Sequence, residues 1–236
     1  MITTFLFDLD GTLLPMDQEK FLNAYMVALA AKMAPYGYDP KRLISCIWKG
    51  TEAMVRNDGK QSNEAVFWDV FSDLYERHTR TDEPVFLEFY EVEFQQVCHS
   101  CGFAAQAKDL IDLLKSKGIR VVLATNPLFP AVATQSRARW AGLDPKDFSL
   151  ITTYENSRFC KPNPDYYRDI LDTLQIAPEE CVMVGNDVEE DMIARDLGMQ
   201  VFLLTDCLIN KYNEDISHYP HGSFDALLEW IGGLDL

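Results

Sequence analysis

Asp8 and Asp10 stand two residues apart where the short apolar run Phe5-Leu6-Phe7 ends. Thr125 and Asn126 follow a second apolar run, Lys161 precedes Pro162, and Gly185-Asn186-Asp187 follows a third run with Asp191 one helical turn on. Carboxylates crowded together repel and raise each other's pKa. A divalent cation relieves that repulsion. An all-oxygen donor set with no histidine or cysteine nearby in sequence favours Mg²⁺ over zinc. One carboxylate can also act as a nucleophile and form a covalent aspartyl intermediate. Lys161 adds positive charge, and the backbone N–H groups after Asp8 and Thr125 can hold anionic oxygens. Nucleophile, metal, cation and N–H cradle together describe phosphoryl transfer.

These residues act together only if the fold gathers them. The run 5–9 reads as a buried strand, not an alternating one. From 16 to 100 the spacing is helical. Phe21, Ala24, Tyr25, Ala28 and Leu29 share one face, and Phe86, Phe89, Tyr90, Phe94 and Val97 share another. That stretch reads as an all-α insert of about four helices. After Gly102 strands are expected at 119–124, 148–152, 181–184 and 200–204. They alternate with helices at 105–117, 129–140, from Asn163-Pro164, at 188–197 and at 224–231. Repeated β-α-β units imply a Rossmann-like parallel sheet with helices on both faces. The chain therefore divides into an α/β core, 1–15 with 101–236, and a helical cap, 16–100. The loop 206–223 has no assigned structure. Ligands in open parallel sheets bind beyond the carboxyl ends of the strands, where the polar residues above fall.

The 236 residues carry 21 basic and 37 acidic side chains, a net charge of −16. Such a charge argues against nucleic acid or an anionic membrane surface as a partner. No apolar run is long enough to span a bilayer and no basic-then-apolar leader opens the sequence, so the cytoplasm is the default expectation. The six cysteines are too scattered for a disulfide scaffold, and Cys98-His99-Ser100-Cys101 has no second ligand pair to make a zinc site, so free thiols are expected.

Asp8-Leu9-Asp10-Gly11-Thr12-Leu13 resembles the first motif of the haloacid dehalogenase superfamily. Leu123-Ala124-Thr125-Asn126 resembles the second motif, Lys161-Pro162 the third, and Gly185 to Asp191 the fourth. The order matches, and the insert resembles the family's α-helical cap. The resemblance implies that Asp8 attacks phosphorus and ligates Mg²⁺. It implies that Asp10 protonates the leaving oxygen, then activates water, and offers its main-chain carbonyl to the metal. Thr125 would hydrogen-bond the phosphoryl group, Lys161 would balance its charge, and Thr12 and Asn126 complete the substrate-binding set. Asp187 would ligate the metal, with Asp191 a weaker ligand or an organiser of water. Asn186, lying between Gly185 and Asp187, departs from the commoner Gly-Asp start of the fourth motif.

Simpler roles compete at several positions. Thr125 can cap the helix that follows, Asp191 can offset a helix dipole, and Glu189 and Glu190 read as helix-start or solvent-facing residues. Trp48, Phe67 and Trp68 have core spacing. The expected activity is Mg²⁺-dependent hydrolysis of a small phosphorylated metabolite. The alternatives are a sugar phosphomutase, with Lys49 and Arg56 supplying a second phosphate site in the insert, or a catalytically silent binding protein on the same fold. An aspartate two residues after the nucleophile disfavours carbon–halogen cleavage. Nothing in the sequence fixes the oligomeric state or the substrate.

Overall fold

A computed structural model describes residues 1–236. Six strands form one sheet: β1 (Thr4–Phe7), β2 (Arg120–Leu123), β3 (Leu150–Ile151), β4 (Cys181–Gly185), β5 (Gln200–Leu204) and β6 (His221–Gly222). Their order is β3-β2-β1-β4-β5-β6, and every pairing is parallel. All four residues of β1 are buried, and after Thr4 they form the apolar run Phe5-Leu6-Phe7. Phe5 and Phe7 enter one hydrophobic cluster and Leu6 the other, as the two-residue period of a strand requires.

The chain steps from β1 outward to β2 and β3, then crosses back to β4 and steps the other way. The strand order therefore reverses between β1 and β4, and a crevice opens at such a point. Phe7 lies opposite both Leu123 and Val184, so Asp8, Thr125 and Asn186 leave the sheet at one edge.

Between β1 and β2 run α1 (Gln18–Met33), α2 (Pro40–Val55), α3 (Asn63–Tyr75), α4 (Glu83–Glu91) and a 3₁₀ segment, Glu93–Ser100. Asp17, Asp39 and Ser62 cap the first three through their side chains. The expected aromatic stripe of Phe86, Phe89, Tyr90, Phe94 and Val97 is wholly buried, though it is divided between α4 and the 3₁₀ segment. The insert joins the sheet through two adjacent crossings. Met16 pairs antiparallel with Cys101, and the Gly102 N–H donates to the Pro15 carbonyl at 2.7 Å.

The remaining helices are α5 (Ala105–Ser116), α6 (Ala131–Trp140), α7 (Pro164–Leu174) and α8 (Phe224–Gly232). Asn163 caps α7 with Pro164 in its first turn, as the sequence predicts. The helix expected at 188–197 is instead a 3₁₀ segment, Met192–Leu197. Its missing first turn is taken up by side-chain bonds: Asp187 accepts the N–H groups of Glu189 and Glu190. The unassigned loop 206–223 ends in β6, and near its start Ile209 exchanges backbone bonds with Asn186 and Val188. No helix is long and apolar enough to cross a membrane.

Candidate active site

Asp8 emerges from β1 with its N–H bonded to the Val184 carbonyl at 2.9 Å. Lys161 Nζ donates to Asp8 Oδ1 at 2.9 Å and to Asp191 Oδ1 at 2.6 Å. The Lys161 side chain is fully buried. Burial alone would discharge it, but Asp191 and Asp8 outweigh that and hold its pKa well above the usual lysine value. The second oxygen of Asp8 accepts from the Thr12 hydroxyl at 3.3 Å. Lys161 thus fixes the nucleophile candidate through one oxygen, and the Thr12 hydroxyl, shared with Asn186, lies beside the other.

Two glycines permit this closeness. Gly11 has φ +89°, and a Cβ there would fall on the Asn186 amide. Asn186 Oδ1 accepts from Thr12 at 2.9 Å while its Nδ2 donates to the Cys207 carbonyl at 2.7 Å. The extra residue in the fourth motif therefore ties the first motif to the loop after β5. A Cβ on Gly185 would fall on the Asp191 carboxylate.

Asp10 faces a partner from another element. Arg137 of α6 donates from Nη1 to Asp10 Oδ2. Its guanidinium stacks 4.3 Å from the centre of the Phe129 ring, and the side chain is 1% exposed. Burial raises the Asp10 carboxyl above its ordinary range, against a lowering pull from Arg137. The other oxygen, Oδ1, is buried without a hydrogen-bond partner.

Thr125 lines the cavity, and its carbonyl accepts from Thr152 at 2.7 Å and Tyr166 at 3.0 Å. Its side chain caps no helix: α6 starts later, after Pro130. The N–H groups of Leu9, Asp10 and Asn126 bond no carbonyl of the chain, which leaves them available to an anion. Asn126 Nδ2 donates to Glu190 Oε2 at 3.0 Å, and its buried Oδ1 has no partner. Glu190 lines the cavity instead of facing solvent, and burial pushes its pKa up to about 8.

That shift has a consequence for stability. Glu190 binds its proton more tightly in the folded state, so its contribution is complete below the unfolded value of 4.5 and is lost as pH rises toward about 8. In chelator, Glu190→Gln should match the parent in thermal unfolding at pH 4 and exceed it by a growing margin up to pH 8. Parallel melting curves across that range would contradict the burial of this carboxyl.

The sequence model of the haloacid dehalogenase-like hydrolases matches residues 2–196. This chain belongs to that family. The phosphoglycolate phosphatase of Colwellia psychrerythraea is 26% identical over 227 residues, covering 96% of this chain and 94% of that protein. The ribulose-1,5-bisphosphate 5-phosphatase of Halopiger xanaduensis is 24% identical over 206 residues, 86% of this chain and 84% of that one. The crystal structure of a HAD phosphatase from Thermococcus onnurineus shares the fold, with a TM-score of 0.64 over 100% of both chains at 20% identity.

A cavity of about 230 Å³ lies over these residues in this haloacid dehalogenase-like chain. Asp8, Asp10, Asp187, Glu190 and Asp191 line it, and no histidine or cysteine does. No group of three or more His, Cys, Asp or Glu side chains is gathered closely enough to hold a metal ion by itself. Such an arrangement fits Mg²⁺, which takes one or two carboxylates and otherwise keeps water and phosphate oxygens. The Asp10 carbonyl accepts no backbone hydrogen bond and is free to complete an oxygen set. Asp191 lines the cavity with both carboxylate oxygens hydrogen-bonded. Lys161 holds one of its oxygens and the Asp187 N–H, at 3.0 Å, holds the other. It positions Lys161 and the turn that carries Asp187.

Arg137 is the residue that sequence reasoning missed. Its signal was present, because Ala133, Arg137 and Ala141 share one buried stripe at four-residue spacing. A cation on a core-facing stripe needs a buried partner.

Proposed function

We propose that this chain is a Mg²⁺-dependent phosphatase that hydrolyses a small phosphomonoester through an aspartyl phosphate on Asp8. The observation that carries this reading is the fixed Asp8 carboxylate at the strand-order switch, bonded by Lys161 and Thr12 and opening onto a cavity shared with Asp10. The family membership and the two phosphatases named above support it.

Asp8 attacks phosphorus in line with the leaving oxygen. Lys161 offsets the charge gathered on Asp8 and the phosphoryl group, and the Leu9, Asp10 and Asn126 N–H groups with the Thr125 hydroxyl hold the equatorial oxygens. Asp10 delivers a proton to the leaving oxygen and then takes one from the water that attacks the aspartyl phosphate. Mg²⁺, held by Asp8, Asp187 and the Asp10 carbonyl, would supply charge neutralisation at the phosphoryl oxygens. The insert forms a cap over residues 16–100 that pivots on the paired crossings at Met16 and Cys101. Closure brings Phe21, Leu22 and Trp48 over the cavity and excludes bulk water during attack.

The mutase alternative loses its support. Lys49 is exposed, Arg56 pairs with Glu52 at 2.7 Å, and neither lines the cavity. The metal role is tested by chelation. EDTA should abolish phosphate release from p-nitrophenyl phosphate, and added Mg²⁺ should restore it. Full activity in chelator would contradict the reading.

A further inference from the structure

We propose that the preferred substrate is a phosphomonoester whose leaving group is uncharged and largely apolar, with no second anionic group. This rests on the phosphatase reading above and narrows it.

The catalytic cavity is polar mainly on its sheet side, and from the insert only Gln18 adds a polar side chain. Its opposite wall is built from Phe21 and Leu22 of α1 and Trp48 of α2, with Leu128 and Phe129 beside them. Leu22, Trp48, Leu128 and Phe129 also border a second chamber of about 90 Å³, and 13 of that chamber's 16 lining residues are hydrophobic. These four side chains form a wall common to the two spaces, so a phosphoryl group over Asp8 would set its organic part against them. Trp48 stands at the junction and is 46% exposed, unlike the buried aromatics around it. An apolar ligand would remove that ring from water.

Charge decides against a second anion. No lysine, arginine or histidine lines either space. Lys161 is enclosed by Asp8 and Asp191, and Arg137 by Asp10. The charged side chain bordering the inner chamber is Glu83. A carboxylate or second phosphate would be desolvated against apolar walls, facing acids with no counter-ion. The relatives named above take their names from phosphoglycolate and ribulose 1,5-bisphosphate, each of which carries a second anion.

The test compares kcat/KM for benzyl phosphate, phosphoglycolate and ribulose 1,5-bisphosphate, with Mg²⁺ present and p-nitrophenyl phosphate as the general assay. All three test substrates release an aliphatic alcohol, so intrinsic reactivity does not set the order. Benzyl phosphate should lead by about tenfold or more. Equal or faster turnover of either polyanion overturns the inference while leaving the phosphatase reading intact. No turnover of any substrate, p-nitrophenyl phosphate included, overturns the phosphatase reading itself. Trp48→Arg places a cation at the junction and should shrink the ratio of benzyl phosphate to phosphoglycolate several-fold. An unchanged ratio would mean that the leaving group does not pass Trp48, and would overturn the placement.

Discussion

Asp8→Asn should abolish phosphate release from p-nitrophenyl phosphate, a loss on the order of 10⁴-fold or more, while the protein stays folded. An amide oxygen is a poor nucleophile, and no neighbouring carboxylate can take its place. Asp191 is closed off by Lys161 and the Asp187 N–H, and Asp10 is held by Arg137. Stability should change little, because two effects oppose. Lys161 loses one opposite charge at 2.9 Å but keeps Asp191 at 2.6 Å, and one of several mutually repelling acids is removed. Phosphate release and a thermal melt on one preparation separate chemistry from folding. Retained turnover in a folded variant would remove Asp8 from the centre of the mechanism.

Arg137→Met carries the second large effect. Arg137 does not line the cavity, so substrate binding should be nearly preserved and KM should stay within a few-fold. Its loss frees Asp10 from a fixed rotamer, and misplacing a proton donor by about 1 Å costs on the order of 10²-fold in kcat. The side chain is also the buried half of an ion pair whose Asp10 partner is part-exposed, so its removal should cost stability, though less than the ~3–5 kcal/mol of a fully buried pair. Arg137→Lys keeps the charge but not the fork, so it should recover stability more than kcat. The split between kcat and KM tells positioning from general disruption. An unchanged kcat in Arg137→Met would show that Asp10 needs no support from α6.

Much of this site could be read in advance because parallel strands end where their apolar runs end. Asp8, Thr125 and Asp187 each follow such a run, and the sheet register gathers them at one edge. Lys161 was legible from Pro162 and the capped start of α7. The rest depends on contacts far apart in the chain. The Arg137–Asp10 pair joins α6 to the end of β1. The function of Asn186 appears only when Thr12 and Cys207 meet it. The bonds of Asp191 to Lys161 and the Asp187 N–H, for which the bare Gly185 leaves room, likewise cannot be read from its place in the fourth motif. Trp48 has core spacing within α2, yet the packing of α1 against α2 leaves it facing the cavity. The net charge of −16 said little about which groups meet in this pocket, where five carboxylates line the cavity and the cations Lys161 and Arg137 stand behind three of them.

The central claim is a covalent phosphoryl group on Asp8. The direct measurement is peptide mass spectrometry of acid-quenched Asp10→Asn enzyme after mixing with p-nitrophenyl phosphate and Mg²⁺. The nitrophenolate leaves without a proton, so the first step proceeds, and the missing base at position 10 slows hydrolysis of the intermediate. A phosphoryl adduct should accumulate on Asp8, in step with a burst of nitrophenolate. A burst with no adduct on Asp8, or with the adduct on another residue, would contradict the mechanism.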